Sequence, residues 1–249
     1  MAARSTTAPE DLTGQAYRAL RRMIVDGAVL PRQRLSHRTL SKDLGIGRSP
    51  VRDALLQLEA EGLLEHRPSS GIYLKEPTLR ELECIYELRA VNEPYTAEKA
   101  ADRADATHLA ALRRVCDEMT SIAEKDDLVA WFSEADQRRR FYRLDIQFHT
   151  TVLEASGNPI AVKMFANAQL LVLAFAWELG HGGPEWFAEI AGRTAAGHRA
   201  VYEAIRRRDG KAAREAMAAH VTWARQEVPE HYAAVAGGQP ISDRKSTRL

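Results

Sequence analysis

The sequence predicts a mainly α protein in two parts: an N-terminal winged helix-turn-helix domain, then an all-α bundle of six or seven helices. Three observations carry that prediction. Within the first 78 residues, short helical patterns broken by glycines lead into two strand-like runs. From residue 79 onward apolar residues recur at helical spacing, interrupted only by Gly, Pro, Asn and Asp clusters. Between the two patterns stands Glu76-Pro77-Thr78, where the domain boundary is placed. At 249 residues, 45% hydrophobic and 28% charged, the chain has room for a sizeable core.

In the front part, Leu12, Ala16, Leu20 and Ile24 mark a helix that Gly27 ends. Leu30-Pro31 to Arg34 is a connector. Ser36 caps a second helix, which runs to Leu44 and stops at Gly45. Ile46, Gly47 and Arg48 form a turn into a third helix, with Ser49 as N-cap and Pro50 at the first helical position. Val51, Leu55 and Leu58 then face the core. Arg52 lies roughly 100° round the helix from that stripe. Arg48 and Arg52 are therefore neighbours on an exposed face, beside the positive end of a helix dipole. Those groups suit phosphates and guanine edges. Gly62 closes the helix, and LLEHR and GIYLK, joined by Pro-Ser-Ser, form a two-stranded wing. Short helix, glycine turn and second helix make a helix-turn-helix pattern.

Charge distribution agrees with two kinds of partner. Residues 1–78 carry 12 Lys/Arg against 9 Asp/Glu, net +3, whereas residues 79–239 carry 20 against 24, net −4. The longest apolar run, Met164 to Trp177, is 14 residues, short of the roughly 20 a membrane span needs, so a buried core helix is expected and no membrane partner. The two cysteines, Cys84 and Cys116, have no metal-like spacing, and the polar start is unlike a signal peptide. A reduced, cytoplasmic protein is expected. Residues 1–11 and 231–249 are expected to be flexible ends, small or polar and without periodicity, which leaves 12–78 and 79–230 as the two domains.

The helical part divides at Gly157-Asn158-Pro159, Gly180 to Pro184 and Asp209-Gly210. Helices are expected over 79–103, interrupted or kinked near Pro94, then 106–124, 128–156 (one helix or two), 159–179, 186–208 and 211–228. Asp145 and His149 lie at i, i+4 on one helix face. His198 precedes Asp209 by 11 residues and His220 follows it by 11. If the last two helices form an antiparallel hairpin about Asp209-Gly210, both histidines sit at nearly one height. With Asp145 and His149 from a facing helix, three imidazoles and one carboxylate would meet. Such a donor set suits Zn²⁺, Ni²⁺ or a similar divalent transition ion and is too nitrogen-rich for Mg²⁺ or Ca²⁺. From spacing alone, a D-x-x-x-H pair is more often a surface or hydrogen-bonded pair, and both readings stay open.

The segment LSHRTLSKDLGIGRSPVRDALLQLEAEGLLEHRPSSGIYL resembles the winged helix-turn-helix of the GntR family of bacterial regulators. That resemblance implies that Arg38, early in the second helix, reads or anchors DNA together with Arg48 and Arg52. It places Ser49 where a small hydroxyl residue is usual, Pro50 as the common next residue, and Gly71 as the wing glycine. Further on, ELRAVNEPYTAEKAA, RLDIQFHTTVLEASGNP and GHRAVYEAIRRRDGKAAREAMAAHV resemble the FCD ligand-binding domain of the FadR subfamily. In metal-containing members an Asp and three His bind the ion, which implies Asp145, His149, His198 and His220. Those members commonly bind small carboxylates or sugar acids. Arg89 borders the inward face set by Leu82 and Ile85, so an effector carboxylate or Glu93 could pair with it. Thr194, one turn before His198, and Trp186, near that helix's start, are further effector candidates.

Together these features predict a homodimeric, DNA-binding repressor on a pseudo-palindromic operator, its grip controlled by a metal-bound small organic or sugar acid. Two alternatives remain: metal itself as the signal, or a metal-dependent hydrolase. Against the hydrolase, no separate general base stands at a motif-like spacing.

Overall fold

The computed structural model describes residues 11–30, 33–178 and 183–235, and it separates into two compact units, one up to Lys75 and one from Glu76. In the first unit, α1 (Leu12–Val25) starts at Asp11, whose carboxylate accepts the Gly14 amide at 2.8 Å. Its apolar stripe buries Ala16, Leu20 and Ile24. Ser36 caps α2 (His37–Leu44) and Gly45, with φ 65°, ends it. Helix α3 (Arg48–Ala60) buries Val51, Ala54, Leu55 and Leu58. Tyr17 of α1 donates a 2.7 Å hydrogen bond to Glu61 at the end of α3, tying the two helices together.

Two front-end expectations are corrected. Gly47, not Ser49, is the N-cap of α3, and no side chain caps it. Ser49 and Pro50 occupy the second and third helical positions. Pro50 remains acceptable there because the first-turn N–H groups have no intrahelical partner. Arg34, expected to end a connector, instead opens a strand beside the two expected strands of the wing. Strand β1 (Arg34–Leu35) joins β2 (Leu64–Arg67) and β3 (Gly71–Leu74) in an antiparallel sheet of order β1-β3-β2. Arg34 pairs with Tyr73, and Glu65 pairs with Tyr73 from the other side. Two residues are too few to display strand alternation, so β1 carries no strand signal in the sequence.

The second unit contains α4 (Leu79–Arg103), α5 (Ala106–Ala123), α6 (Leu128–Ser133), α7 (Ala135–Ala155), α8 (Pro159–Glu178), α9 (Pro184–Arg206) and α10 (Gly210–Val235). A capping box opens α4: Thr78 Oγ1 accepts the Glu81 amide at 3.1 Å, and Glu81 Oε2 accepts the Thr78 amide at 2.8 Å. Helix α4 runs through buried Pro94 without interruption. The 128–156 stretch is two helices, meeting at Glu134. Helix α10 packs along α4 and α9. Phe132, Phe148, Leu112, Met119 and Val221 lie at the centre of the resulting core. The apolar run beginning at Met164 falls within α8. Among the described residues no helix is long and apolar enough to cross a membrane.

The tail expected from residue 231 is also corrected. Helix α10 continues through Pro229 to Val235. Tyr232 explains the continuation: it is 2% exposed and its hydroxyl lies 2.8 Å from that of Tyr142. Core packing thus outweighs the hydrogen bond lost at the proline. Residues 1–10 and 236–249, expected as flexible ends, lie outside the described residues.

Candidate functional site

In the N-terminal unit, the start of α3 presents Arg48, Ser49 and Arg52 as exposed side chains, with Pro50 half-buried behind them. Arg38, second residue of α2, is exposed as well. Among the described residues Arg52 has one weak ionic neighbour, Asp53, at 3.7 Å. Pairs so exposed hold their partners loosely, leaving the guanidinium free to turn to another anion. Gly71 sits at the start of β3 with φ 119°, and a Cβ there would come within 2.7 Å of Arg34 Nε. It is therefore a backbone requirement of the wing.

In the helical unit, Asp145 and His149 of α7, His198 of α9 and His220 of α10 converge. One potential ligand atom from each lies within 4.8 Å of all the others. Equal spacing from the Asp209-Gly210 turn brings the two hairpin histidines level. His149 Nε2 lies 3.3 Å from His198 Nε2, and Asp145 Oδ1 lies 3.3 Å from His198 Nε2 and 3.7 Å from His149 Nε2. All three imidazoles are buried, and the Asp145 side chain is the most exposed member at 18%. Phe148 stacks on His198 with centroids 4.0 Å apart, which fixes that ring's plane.

A second carboxylate supports the set. Glu93 Oε2 faces His149 Nδ1 at 2.8 Å, an ion-pair contact without hydrogen-bond alignment, and Glu93 Oε1 accepts from Arg89 Nε at 2.7 Å. Burial alone would raise the Glu93 carboxyl, but Arg89 and His149 hold it down to about 2. Burial would lower His149, yet Glu93 and Asp145 raise it to about 9. Burial pushes His220 well down, reinforced by His198 and His149, and also lowers His198 against the pull of Asp145. Asp145 stays well below the usual carboxylate range despite burial because His149 and His198 flank it. Two neutral imidazoles, a third oriented by a carboxylate on its far nitrogen, and an ionised aspartate form a set that could hold a metal ion. His220 Nδ1 is buried without a hydrogen-bond partner, an orphan of the kind a ligated cation resolves.

Gly197 makes room for this arrangement. A Cβ at that position would stand 2.6 Å from His220 Nδ1 and 3.2 Å from its Cγ. Gly197→Ala is expected to swing the His220 ring aside and weaken metal affinity about tenfold to a hundredfold, a typical cost of disturbing ligand support. Competition against a chromogenic chelator measures it. Gly192→Ala, where a Cβ meets nothing within 4 Å, is the matched control and should leave affinity unchanged.

Beside the cluster lies a cavity with about 460 Å³ of atom-free space, its mouth included. Arg89, Trp186 and Thr194 all line it, as do Asp145 and His220. The Arg89 pairing left open by the sequence is realised with Glu93. Thr194 donates its hydroxyl to the Ile190 carbonyl at 3.0 Å. Trp186 stacks on His231 with centroids 4.2 Å apart. Sequence reasoning missed the contact of Glu93 with His149. It also missed the aromatic lining from Tyr86, Phe141, Tyr142 and Trp223. One signal was available: Trp223 follows His220 by three residues and so shares its helix face.

Comparison with known proteins places both units. The family model for bacterial regulatory proteins of the gntR family matches residues 12–74, and the FCD domain model matches residues 84–222. The uncharacterized HTH-type transcriptional regulator YdhC of Bacillus subtilis (strain 168) is 26% identical, over 83% of this chain and 86% of that protein. The HTH-type transcriptional repressor RspR of Escherichia coli (strain K12) is 26% identical, over 87% of this chain and 86% of that protein. The solved structure of E. coli McbR/YncC shares the fold, with a TM-score of 0.68 over 90% of this chain and 98% of that one, at 22% identity. The chain belongs to the GntR family of bacterial regulatory proteins, carries an FCD domain, and is a transcriptional regulator rather than an enzyme.

Proposed function

We propose that this regulator is a repressor whose operator affinity is set by a small organic acid bound at a metal site in the helical domain. The observation that carries the proposal is the convergence of Asp145, His149, His198 and His220 next to a cavity that Arg89 also lines. The donor set is nitrogen-rich, which favours Zn²⁺ or Ni²⁺ over Mg²⁺ or Ca²⁺. Such an ion supplies an electrophilic point for a carboxylate oxygen. Glu93 holds the far nitrogen of His149, Phe148 fixes the plane of His198, and Gly197 seats His220. Arg89, its charge balanced by Glu93, lines the cavity with guanidinium donors, while Trp186 and Thr194 shape the wall. Repression is favoured by the named function of RspR.

Arg38, Arg48, Ser49, Pro50 and Arg52 supply the DNA face, with Gly71 shaping the wing. A homodimer would present two such faces to a pseudo-palindromic operator. The acid acts by binding better to the dimer geometry that fits the half-sites poorly.

A thermal-shift screen of small carboxylates on metal-loaded protein tests the ligand half of the proposal. A true ligand at 100 times its Kd stabilises by about 2.7 kcal/mol. The shift should vanish when metal is chelated. Carboxylate shifts that survive chelation would count against a metal-anchored site.

A further inference from the structure

We infer that the acid is a monocarboxylate on a flat apolar body, an aromatic acid, and not a polyhydroxylated sugar acid; this rests on the proposed metal-anchored carboxylate site. The first reason is the wall. Five rings line the cavity, from Tyr86, Phe141, Tyr142, Trp186 and Trp223. Val172, Ile190 and Val228 fill the spaces between them. Rings of this kind favour a flat apolar guest through offset stacking and edge-to-face contact.

The second reason is the supply of hydrogen bonds. Among the described residues, the polar groups in the lining are Arg89, Asp145, Thr194, His220, two tyrosine hydroxyls and the indole N–H groups of Trp186 and Trp223. Asp145 and His220 belong to the metal set, Glu93 takes the Nε–H of Arg89, and the Trp186 indole N–H donates to Glu227 at 3.4 Å. The Thr194 hydroxyl gives its proton to the Ile190 carbonyl, and the Tyr142 hydroxyl shares a bond with Tyr232. A sugar acid would bring a hydroxyl on nearly every carbon into this wall. Each one left without a partner forfeits roughly a tenfold factor in affinity.

The third reason is charge. Arg89 and Glu93 cancel each other. With neutral imidazoles as ligands, a divalent ion and Asp145 leave a single positive charge. One carboxylate neutralises it. A second carboxylate would enter as a buried anion without compensation.

Calorimetric titration of the full-length, zinc-loaded protein with benzoate, phenylacetate, phthalate and D-gluconate decides the matter. Benzoate or phenylacetate should bind at least tenfold more tightly than D-gluconate and than the dicarboxylate phthalate, with binding lost on chelation. Tighter or equal binding of D-gluconate or phthalate, still metal-dependent, would overturn this inference and leave the metal-anchored site standing. Binding that ignores chelation, or no binding by any of the four acids, would overturn both. Wild-type protein serves throughout, so no folding defect can imitate either result.

Discussion

Replacing Arg48 or Arg52 with alanine is expected to weaken operator binding by a factor of about 5 to 150 each, corresponding to about 1–3 kcal/mol per guanidinium contact. Both side chains are exposed at the start of α3 and neither is part of the core. Arg48 occupies the first helical position, where the helix dipole adds to its charge and unpaired N–H groups point outward. Arg52 stands one turn later on the same face, with a 3.7 Å contact to Asp53 among the described residues. Fluorescence anisotropy on operator DNA gives the affinity loss, and a urea transition unchanged to within about 0.5 kcal/mol certifies the fold. A guanidinium that contacts phosphate lowers the slope of log K against log salt by about one when removed, whereas a base contact relaxes specificity at one position. Unchanged affinity in both variants would remove the start of α3 from the DNA interface.

His198→Ala combined with His220→Ala should abolish stoichiometric metal. The two rings come from different helices and flank His149, with centroids 5.0 and 5.3 Å from it. Removing both leaves Asp145 and His149, two donors on one helix face, too few for tight binding of a borderline divalent ion. Elemental analysis should fall from one ion per chain to a trace. The thermal midpoint should lose its response to added metal and to chelator, because the mass-action term disappears. Full metal content in the double variant would place the ion elsewhere. The loss of two buried rings also opens space, so the apo forms of variant and wild type are the proper pair for comparing stability.

Much of this architecture was legible because local rules and packing agree. Ser36, Gly45 and the Gly157-Asn158-Pro159 break act through neighbours in sequence. Caps and stops of that kind can be seen in a string of residues. The histidine convergence was legible for a different reason: equal offsets from one tight turn fix equal heights on an antiparallel hairpin. What escaped sequence reasoning depends on tertiary contact. Strand β1 is too short to show a period and exists because β3 offers it an edge. Helix α10 passes Pro229 because Tyr232 finds Tyr142, 90 residues away. Ser49 has the chemistry of an N-cap, yet the helix begins earlier because Gly47 already adopts extended backbone there, with ψ 154°. Arg89 was compatible with two partners by spacing, and only the folded chain shows Glu93 bridging it to His149. The aromatic wall draws on α4, α7, α9 and α10, and no periodicity within one helix announces it.

We propose that a metal-anchored acid controls the grip on DNA. The most direct test is an operator titration by anisotropy with metal-loaded protein, with a binding acid present or absent, repeated on the His198→Ala, His220→Ala variant. Acid should weaken operator binding of the wild type at least tenfold, and the variant should bind operator with an affinity the acid does not change. An acid response that persists in the variant, or operator affinity that follows metal alone with no effect of any acid, would contradict it.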